Sequence, residues 1–357
     1  MLTRYARIGA SSRIRMLQYV PTLEAHGFTV TIAPLLTAKY VSDLQSGCRH
    51  WPSVIKGYWQ RMSILATAQK KFDLIWIEKD AFPWLPLMFE KMFYSNKVPR
   101  ILDYDDAVFY QYAEHKNFFV RLLLKKKHRR LMSEAELVIT GNEYLAAYAR
   151  ESMARVIILP SVVDLKRYPC ININDSTKAR AIPKIVWIGQ KATSIFLQPY
   201  AELLQEIVLS GRAEIIGIGF DLNRFNIRSE YIPWSEENEV TALQNCDIGI
   251  MPLPDGLFEQ GKCGYKLIQY MACQLPVVAS PVGVNSSIVA HERVGFCAVG
   301  VDGWRQCLET LINDPHLRRD MGINGRNVVE KHYSTNVTAP VLVQLLAQIG
   351  KSQMSTL

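Results

Sequence analysis

The sequence lacks the features that mark three broad classes of protein. No apolar run reaches the ~18 residues of a membrane-spanning helix, so a spanning protein is not expected. The N-terminus, MLTRYARIGASSR, has no apolar core of ~7–15 residues, so a secretory signal peptide is not expected. The seven cysteines are scattered and never spaced C-x-x-C, which disfavours a disulfide framework or a zinc site and predicts a cytoplasmic protein with reduced thiols.

Acidic residues are few in one half of the chain only. Residues 1–165 hold 23 Lys and Arg against 15 Asp and Glu, whereas the remainder holds 18 of each. The net charge of +8 therefore lies entirely in the first half. An anionic partner that contacts this half is one explanation of the excess.

Short apolar segments alternate with longer segments of helical period, which predicts α/β units around parallel sheets. At ~100–200 residues per domain, 357 residues suggest two domains. The pattern breaks near Pro169 and Pro183, with a polar run between them that is typical of a linker. We predict an N-terminal domain over 1–168, a linker over 169–182, a second domain over 183–332 and a C-terminal helix over 333–357. Ligands are expected in strand-to-helix loops beside a cleft between the domains.

The predicted strands fall into one series for each half. They are Thr29–Pro34, Leu74–Glu78, Ile101–Tyr104, Leu137–Thr140 and Val156–Leu159, then Lys184–Ile188, Glu214–Ile218, Tyr231–Pro233, Ile248–Met251, Pro276–Ala279 and Gly295–Ala298. A first helix is predicted over Ser12–Ala25. Only Met1–Thr3 remain for the strand that should precede Arg4, so that strand is short or the true start lies upstream.

The loop before the first helix has the composition of an anion site. Gly9 permits a tight turn, Ser11 or Ser12 can cap the helix, and Arg13 adds positive charge. The alternative is an ordinary helix cap with solvated arginines.

Asp103, Asp105 and Asp106 follow a predicted strand in the run Asp-Tyr-Asp-Asp. Carboxylates at that place can orient sugar hydroxyls, act as a base or hold Mg²⁺. The alternative is that they cap the next segment.

The tract Lys116–Ser133 contains seven Lys and Arg and no acidic residue. Read as one helix, it has a broad apolar side and a basic side, as does a helix on an anionic membrane surface. The alternative is a core helix with a solvated basic face. No recognition motif supports nucleic-acid binding. The membrane patch would comprise Lys125, Lys126, Lys127, Arg129 and Arg130.

Two glycine-containing loops in the second half predict a phosphate site. Gly189, Lys191 and Thr193 follow one strand. The alternative is that they form an ordinary strand-to-helix turn. After the strand that ends at Met251, a longer loop leads into a helix that begins at Tyr265. This loop and helix start offer glycines, backbone N–H groups and lysines for a diphosphate, and polar side chains for sugar and ribose hydroxyls. The residues concerned are Asp255, Glu259, Gly261, Lys262, Gly264, Tyr265, Lys266 and Gln269.

The run GKCGYKLIQYMACQLPVVASPVGVN resembles the donor-binding core of GT-B glycosyltransferases of the retaining family 4 type. The similarity extends over nearly the whole chain and includes Arg4–Arg15, Asp73–Lys79, Val138–Leu145 and Leu159–Asp164. It implies an α/β GT-B fold with two Rossmann-like domains, and a C-terminal helix that packs on the first. It implies sugar transfer from a nucleotide-sugar to a glycan or lipid-linked acceptor, in the cell-envelope polysaccharide branch. It also implies no cofactor and no metal, because the nucleotide-sugar is a co-substrate and its phosphate can take the acceptor's proton.

The resemblance also assigns roles to single residues. Lys191, Lys262 and Lys266, with the amides of Gly264 and Tyr265, would hold the diphosphate, and Asp105 or Asp106 would face the reacting sugar. The family pattern E-x7-E is replaced, since Gly261 and Gln269 stand where the two glutamates occur. Gln269 can still bind ribose, although without charge assistance. A nucleotide-sugar epimerase of the same fold and an inactive nucleotide-sugar-binding scaffold subunit are the alternatives.

Overall fold

The computed structural model describes residues 1–45, 51–94, 97–170 and 180–354, which form two units. The first unit comprises Met1–Ser161, Gln260–Cys263 and Thr338–Leu357. The second comprises Val162–Glu259 and Gly264–Val337. The predicted boundary after residue 168 is later than the observed change at Val162, and residues 171–179 of the predicted linker lie outside the described part of the chain.

The first unit is built on a parallel sheet of six strands in the order β2-β1-β3-β4-β5-β6. Its strands are β1 (Leu2–Tyr5), β2 (Ala33–Leu36), β3 (Ile75–Glu78), β4 (Arg100–Tyr104), β5 (Leu137–Thr140) and β6 (Val156–Ile158). Its helices before the second unit are α1 (Ala10–Arg15), α2 (Val20–Ala25), α3 (Ala38–Gln45), α4 (Trp51–Thr67), α5 (Leu87–Lys91), α6 (Val108–Ala113), α7 (Phe118–Leu124), α8 (Lys127–Ser133) and α9 (Glu143–Arg150). The order reverses between β1 and β3, so the loops that follow these strands are where a ligand is expected.

The second unit has a parallel sheet of six strands in the order β12-β11-β10-β7-β8-β9. Its strands are β7 (Lys184–Ile188), β8 (Glu214–Ile218), β9 (Glu230–Ile232), β10 (Ile248–Met251), β11 (Val277–Ala279) and β12 (Gly295–Cys297). The remaining helices are α10 (Lys191–Ser194), α11 (Ala201–Leu209), α12 (Glu239–Gln244), α13 (Leu257–Gln260), α14 (Tyr265–Ala272), α15 (Val284–Ala290), α16 (Gly300–Asn313), α17 (Pro315–His332) and α18 (Thr335–Met354). Here the order reverses between β7 and β10.

Apolar side chains cover both faces of the second sheet. Along β7, Val186 and Ile188 belong to one buried cluster, whereas Ile185 and Trp187 belong to another. Successive side chains of a strand point to opposite faces, so a strand buried on both sides must be apolar throughout. This requirement explains why the strands could be identified from short, continuous apolar runs.

Two elements near the start of the chain differ from the predicted ones, and each contains a proline. The predicted first helix is divided into α1, a 3-10 turn at Leu17–Tyr19 and α2, because Pro21 stands in the first turn of α2 and lacks the N–H that a continuous helix needs. The strand predicted at Thr29–Pro34 lies further along, at Ala33–Leu36. Pro34 is tolerated there because β2 is at the sheet edge.

The basic tract folds as two helices, α7 and α8, and not as one. Asn117 caps α7, since its side chain accepts a hydrogen bond from the amide of Phe119 at 2.8 Å. Leu124 is buried at the end of α7, and Lys127 is buried at the start of α8. None of the helices in the described ranges is both long enough and apolar enough to cross a bilayer.

Candidate functional site

A charged cluster lies at the carboxyl end of the first sheet. Lys79 follows β3, Asp105 and Asp106 follow β4, and Ser11 is in the first turn of α1. Ser11 and Lys79 come after β1 and β3, the two strands between which the strand order reverses. The two aspartates come after β4, the next strand of the sheet. Parallel strands end at one edge, which brings these side chains together although they are far apart in sequence.

The ammonium group of Lys79 is the centre of this cluster. Its Nζ lies 2.8 Å from Asp105 Oδ1 and 3.5 Å from Asp106 Oδ2. Ser11 donates a second hydrogen bond to Asp105, from its hydroxyl to Oδ2 at 2.5 Å. The backbone of Lys79 has a φ of 65°, a left-handed conformation that is unfavourable for a residue with a side chain. Such strain persists only where the surroundings fix the residue in place, and it is concentrated at functional sites.

The pairing fixes both groups in their charged forms. Burial by itself would raise the pKa of Asp105, but the charge of Lys79 and the hydrogen bonds from Lys79 and Ser11 outweigh it and lower this pKa. Burial would lower the pKa of Lys79, but Asp105 and Asp106 raise it above its ordinary value. Neither group is suited to exchange a proton near neutral pH, and both carry fixed charges there.

Asp106 is shared with a lysine from a distant part of the chain. Lys262 Nζ lies 2.8 Å from Asp106 Oδ1, and about a quarter of each side chain is exposed, 25% and 22%. Among the described residues, no three His, Cys, Asp or Glu side chains are grouped as metal ligands would be. The first-unit cluster therefore presents a partly exposed carboxylate that is held between two ammonium groups.

The segment that carries Lys262 is fastened to the first unit by its backbone. Asn142 Nδ2 donates to the carbonyl oxygens of Gly261 at 3.0 Å and Lys262 at 3.2 Å. The thiol of Cys263 donates to the carbonyl oxygen of Asp105 at 3.1 Å. A side chain at position 261 would lie 2.6 Å from the Ala107 Cβ, so only glycine allows this approach.

A second candidate site lies in the second unit, after β7. Lys266 Nζ donates to the Thr193 hydroxyl at 3.4 Å and stands 4.4 Å from the centroid of the Trp187 ring. A side chain at Gly189 would place its Cβ 2.8 Å from Lys266 Nζ. Gly189 therefore makes room for the ammonium group at the end of β7, and the ring of Trp187 supports it through a cation–π contact.

Lys266 lies in the first turn of helix α14. Gly264 precedes it with a φ of 63°, and an added Cβ would lie 2.5 Å from Ile288 Cδ1. Gly264, at the N-cap position of α14, has no side chain that could cap the helix. A helix N-terminus carries partial positive charge and N–H groups that bind phosphate. Together with Lys266, it forms a region of positive potential at the reversal between β7 and β10.

Gln269 is buried on α14. Its Nε2 donates to the hydroxyl of Tyr168 at 2.9 Å, and Arg326 in turn donates to the Tyr168 carbonyl oxygen at 2.6 Å. Burial raises the pKa of Tyr168 well above its ordinary value, so its hydroxyl stays protonated. The position predicted to bind ribose is thus part of a buried polar network.

The predicted site residues are distributed over both units. Lys262 and Lys266, predicted to share one diphosphate, belong to different units. Ser12 is fully buried, and its hydroxyl donates to Glu78 Oε2 at 2.5 Å. Gly9 and Arg13 are also buried, and Arg13 Nη1 donates to the carbonyl oxygen of Arg7 at 3.3 Å. The predicted loop joins the first-unit cluster through Ser11, by the hydrogen bond to Asp105.

The other predicted donor residues lie nearer the surface of the second unit. Lys191 and Asp255 are exposed, whereas Glu259 and Tyr265 are partly buried. Their exposure leaves them accessible to a ligand. Their roles stay predictions.

The assignment of Lys127 to the membrane patch is wrong. Its Nζ is buried and lies 2.8 Å from Asp80 Oδ2 and 3.0 Å from Glu90 Oε2. Two buried carboxylates compensate the charge, which is a requirement for burying a lysine. Lys125, Lys126, Arg129 and Arg130 are exposed, and Arg129 pairs with Glu151.

Sequence reasoning missed Lys79 and Asn142. Both follow apolar strands closely, as the predicted aspartates do, and this position is the signal that could have found them. Their neighbours in space come from other strands and from the distant segment at Lys262, so their role required the fold.

These observations define the class of fold. The chain has the GT-B fold, with two α/β units that are each built on a parallel six-stranded sheet. The predicted fold class is therefore confirmed. Residues 183–314 match the family described as Glycosyl transferases group 1.

Solved structures of the same fold cover almost all of the chain. Sucrose-phosphate synthase from Thermosynechococcus elongatus is 17% identical, with a TM-score of 0.69, and the match covers 98% of this chain and 96% of that one. WaaG, a glycosyltransferase involved in lipopolysaccharide biosynthesis, is 13% identical, with a TM-score of 0.68 and coverage of 97% and 99%. HepE from Anabaena, in complex with UDP, is 15% identical, with a TM-score of 0.59 and coverage of 92% and 89%.

Proposed function

We propose that this protein is a glycosyltransferase that transfers a sugar, of the hexosyl type, from a nucleotide-sugar to a glycan or lipid-linked acceptor. The observation that carries the proposal is the grouping of Gly189, Thr193 and Lys266 at the N-terminus of α14. These residues lie where the second sheet reverses its strand order, within the residues that match Glycosyl transferases group 1. The UDP complex of HepE supports a nucleoside diphosphate as the bound group.

The second unit would bind the donor through its diphosphate. Lys266 and the N-terminus of α14 supply positive potential, and exposed Lys191 can approach the same phosphates. As the bond to the sugar breaks, negative charge grows on the departing diphosphate. Positive groups that are already in place stabilise this charge without reorganisation, which is the main catalytic contribution we assign to the protein.

The first-unit cluster would bind the acceptor or the reacting sugar. Asp106 is the accessible carboxylate, and its oxygens can accept hydrogen bonds from sugar hydroxyls. Lys79 and Lys262 keep it oriented, and Asp105 anchors Lys79. Transfer with retention and without a metal is proposed on the sequence resemblance, with the donor phosphate taking the acceptor's proton. A lipid-linked envelope acceptor would place the protein at the cytoplasmic face of a membrane.

Titration with nucleotides tests the donor site. Lys266→Met should weaken binding of the cognate nucleoside diphosphate by about 10-fold or more, because the lost interaction is a charge-assisted contact worth ~1.5–3 kcal/mol. Lys331→Met is the matched control, since Lys331, on α17 of the same unit, forms an exposed ion pair with Glu292. Calorimetry with UDP, GDP and their sugar conjugates measures both variants. Equal affinities for the two variants would remove Lys266 from the site.

An assay with labelled nucleotide-sugars separates the alternative functions. A glycosyltransferase moves the label to an acceptor, whereas an epimerase returns an isomerised nucleotide-sugar. No binding of any common donor would favour the inactive scaffold. Activity is expected to survive EDTA, and a loss that added metal restores would contradict the metal-free mechanism.

A further inference from the structure

Large apolar side chains are exposed on three segments of the first unit. These segments are helix α4, the stretch from Trp84 to Met92, and helix α7. Each of the ten side chains is at least half exposed, and we call this set the apolar surface: Trp51, Ile55, Trp59, Trp84, Met88, Met92, Phe118, Phe119, Leu122 and Leu123. Every exposed Trp and Phe in the described ranges belongs to it. Such a concentration marks an interaction site.

Within each helix the exposed residues share a face. Trp51, Ile55 and Trp59 follow at intervals of four along α4, so they lie one above another. On α7, Phe118 and Leu122 are spaced by four, as are Phe119 and Leu123. The buried side of α7 is represented by Leu124. The four exposed apolar side chains of α7 therefore do not belong to the core.

Packing contacts join the three segments. Tyr58, next to Trp59, donates from its hydroxyl to the carbonyl oxygen of Pro83, next to Trp84. The Trp84 ring packs edge-on against His115, with ring centroids 5.7 Å apart. Arg121 of α7 donates to the His115 carbonyl oxygen at 2.5 Å. The three segments are therefore neighbours in space.

Basic residues border the apolar surface, and exposed acidic residues are missing from its segments. Neither 51–67 nor 116–133 contains Asp or Glu. In 84–92 the single carboxylate is Glu90, which is buried against Lys127. Exposed lysines on and beside α4 and α7 include Lys56, Lys116, Lys125 and Lys126.

We propose that the apolar surface docks the protein on a lipid bilayer that contains anionic lipids. Tryptophan side chains are favoured at the bilayer interface, and phenylalanine and leucine can reach its hydrocarbon. The bordering lysines match anionic headgroups in charge. This charge pattern favours a bilayer over a second copy of the chain, because two such surfaces would oppose positive charge with positive charge. The proposal rests on the proposed function in one respect: a lipid-linked acceptor would be found at the bilayer surface.

Co-sedimentation of the full chain with vesicles tests docking without any donor or acceptor. Vesicles of phosphatidylcholine are compared with vesicles that also contain phosphatidylglycerol. Replacing Phe119 and Leu122 together by Ser should lower the partition coefficient on the order of tenfold or more, since two inserted side chains are lost. Leu209→Ser is the matched control, because Leu209 is equally exposed, at 67% like Phe119, but lies in the second unit. Equal losses in the two variants, or no binding by the wild type, would overturn the proposal.

Lys125→Glu with Lys126→Glu tests the charge component. This variant should lose the preference for phosphatidylglycerol vesicles. Lipids brominated in their acyl chains should quench tryptophan fluorescence in the wild type, and less in Trp59→Phe. A variant that changes the oligomeric state in light scattering, while its vesicle binding is unchanged, would assign the surface to a second copy instead. Failure of nucleotide binding would leave these outcomes intact, so the two proposals fail separately.

Discussion

At the scale of single residues, the pair of Lys79 and Asp105 explains how charge is kept inside the first unit. Their side chains are only 5% and 14% exposed, and the ammonium and carboxylate are 2.8 Å apart. A buried ion pair contributes little compared with apolar residues of the same volume, but removal of one partner leaves a buried charge without compensation. The consequences should therefore be visible as a dependence of stability on pH.

Lys79→Met should destabilise the protein by about 3–5 kcal/mol at pH 7. In the wild type, the folded-state pKa of Asp105 is below its unfolded value, so the pair's contribution is present above pH ~4 and is lost as the pH falls toward the folded-state pKa. In the variant, burial raises this pKa, and Asp105 takes up a proton on folding. The deficit relative to wild type should therefore shrink between pH 7 and pH 5, as measured by urea unfolding.

The second replacement Asp105→Asn provides the control. Together with Lys79→Met it removes the buried charge, so most of the lost stability should return at pH 7. A deficit that is the same at both pH values, without recovery in the double variant, would show that Lys79 acts through packing and not through charge.

At the scale of elements, the start of α14 depends on a single glycine. Gly264 has a left-handed backbone, and the space for a Cβ is filled by Ile288 at 2.5 Å and Val284 at 3.2 Å. Any other residue must therefore take up a strained backbone and displace the Ile288 side chain, or change the entry into α14. The helix N-terminus that we assign to phosphate binding would move with it.

Gly264→Ala should lower both stability and nucleotide affinity. The left-handed conformation costs about 1–2 kcal/mol for a residue with a side chain, and the contact with Ile288 adds to this. Gly211→Ala measures the backbone cost alone, because Gly211 has a φ of 70° with nothing within 4 Å of the added Cβ, so the difference between the two variants is the packing contribution. Thermal unfolding and calorimetry should show a larger loss at position 264, with affinity reduced there alone. Equal effects would assign the cost to the backbone.

Element types were predicted better than the surroundings of their residues. Four strands, Leu137–Thr140, Lys184–Ile188, Glu214–Ile218 and Ile248–Met251, have the predicted bounds, and α14 begins at the predicted Tyr265, because continuous apolar runs and helical periods are local signals. Lys127 was misjudged because Asp80 and Glu90, which pair with it, lie in other parts of the chain, after β3 and within α5. The side chains of α7 could equally have been core residues by their period, and only packing shows which face is covered.

At the scale of the whole molecule, α18 connects the units in sequence and belongs to both. It begins in the second unit, whereas Thr338–Leu357 group with the first. Thr338 Oγ1 is 2.8 Å from the hydroxyl of Tyr19, and Leu342, Leu346 and Ile349 are buried. The last helix therefore belongs structurally to the first unit, although the residues of the second unit lie between them in the sequence.

Leu342→Ala should destabilise the first unit selectively. Truncation of a fully buried leucine costs about 2–5 kcal/mol. Val341→Ala, at the exposed neighbouring position on α18, should cost under ~0.5 kcal/mol. Hydrogen exchange followed by mass spectrometry should show lost protection in peptides from β1 to β6 and unchanged protection in β7 to β12. Loss of protection that is spread equally over both sheets would contradict this assignment.

The division of the chain also limits how such a protein can be recombined in evolution. The chain passes between the units after Ser161, Glu259, Cys263 and Val337. A single genetic crossover near Ser161 would give the first unit a foreign Gln260–Cys263 and a foreign last helix, and so a foreign partner for Asp106. Functional hybrids should therefore arise only when three separate stretches of the gene are inherited together, which makes the two units poor exchangeable modules despite their similar folds.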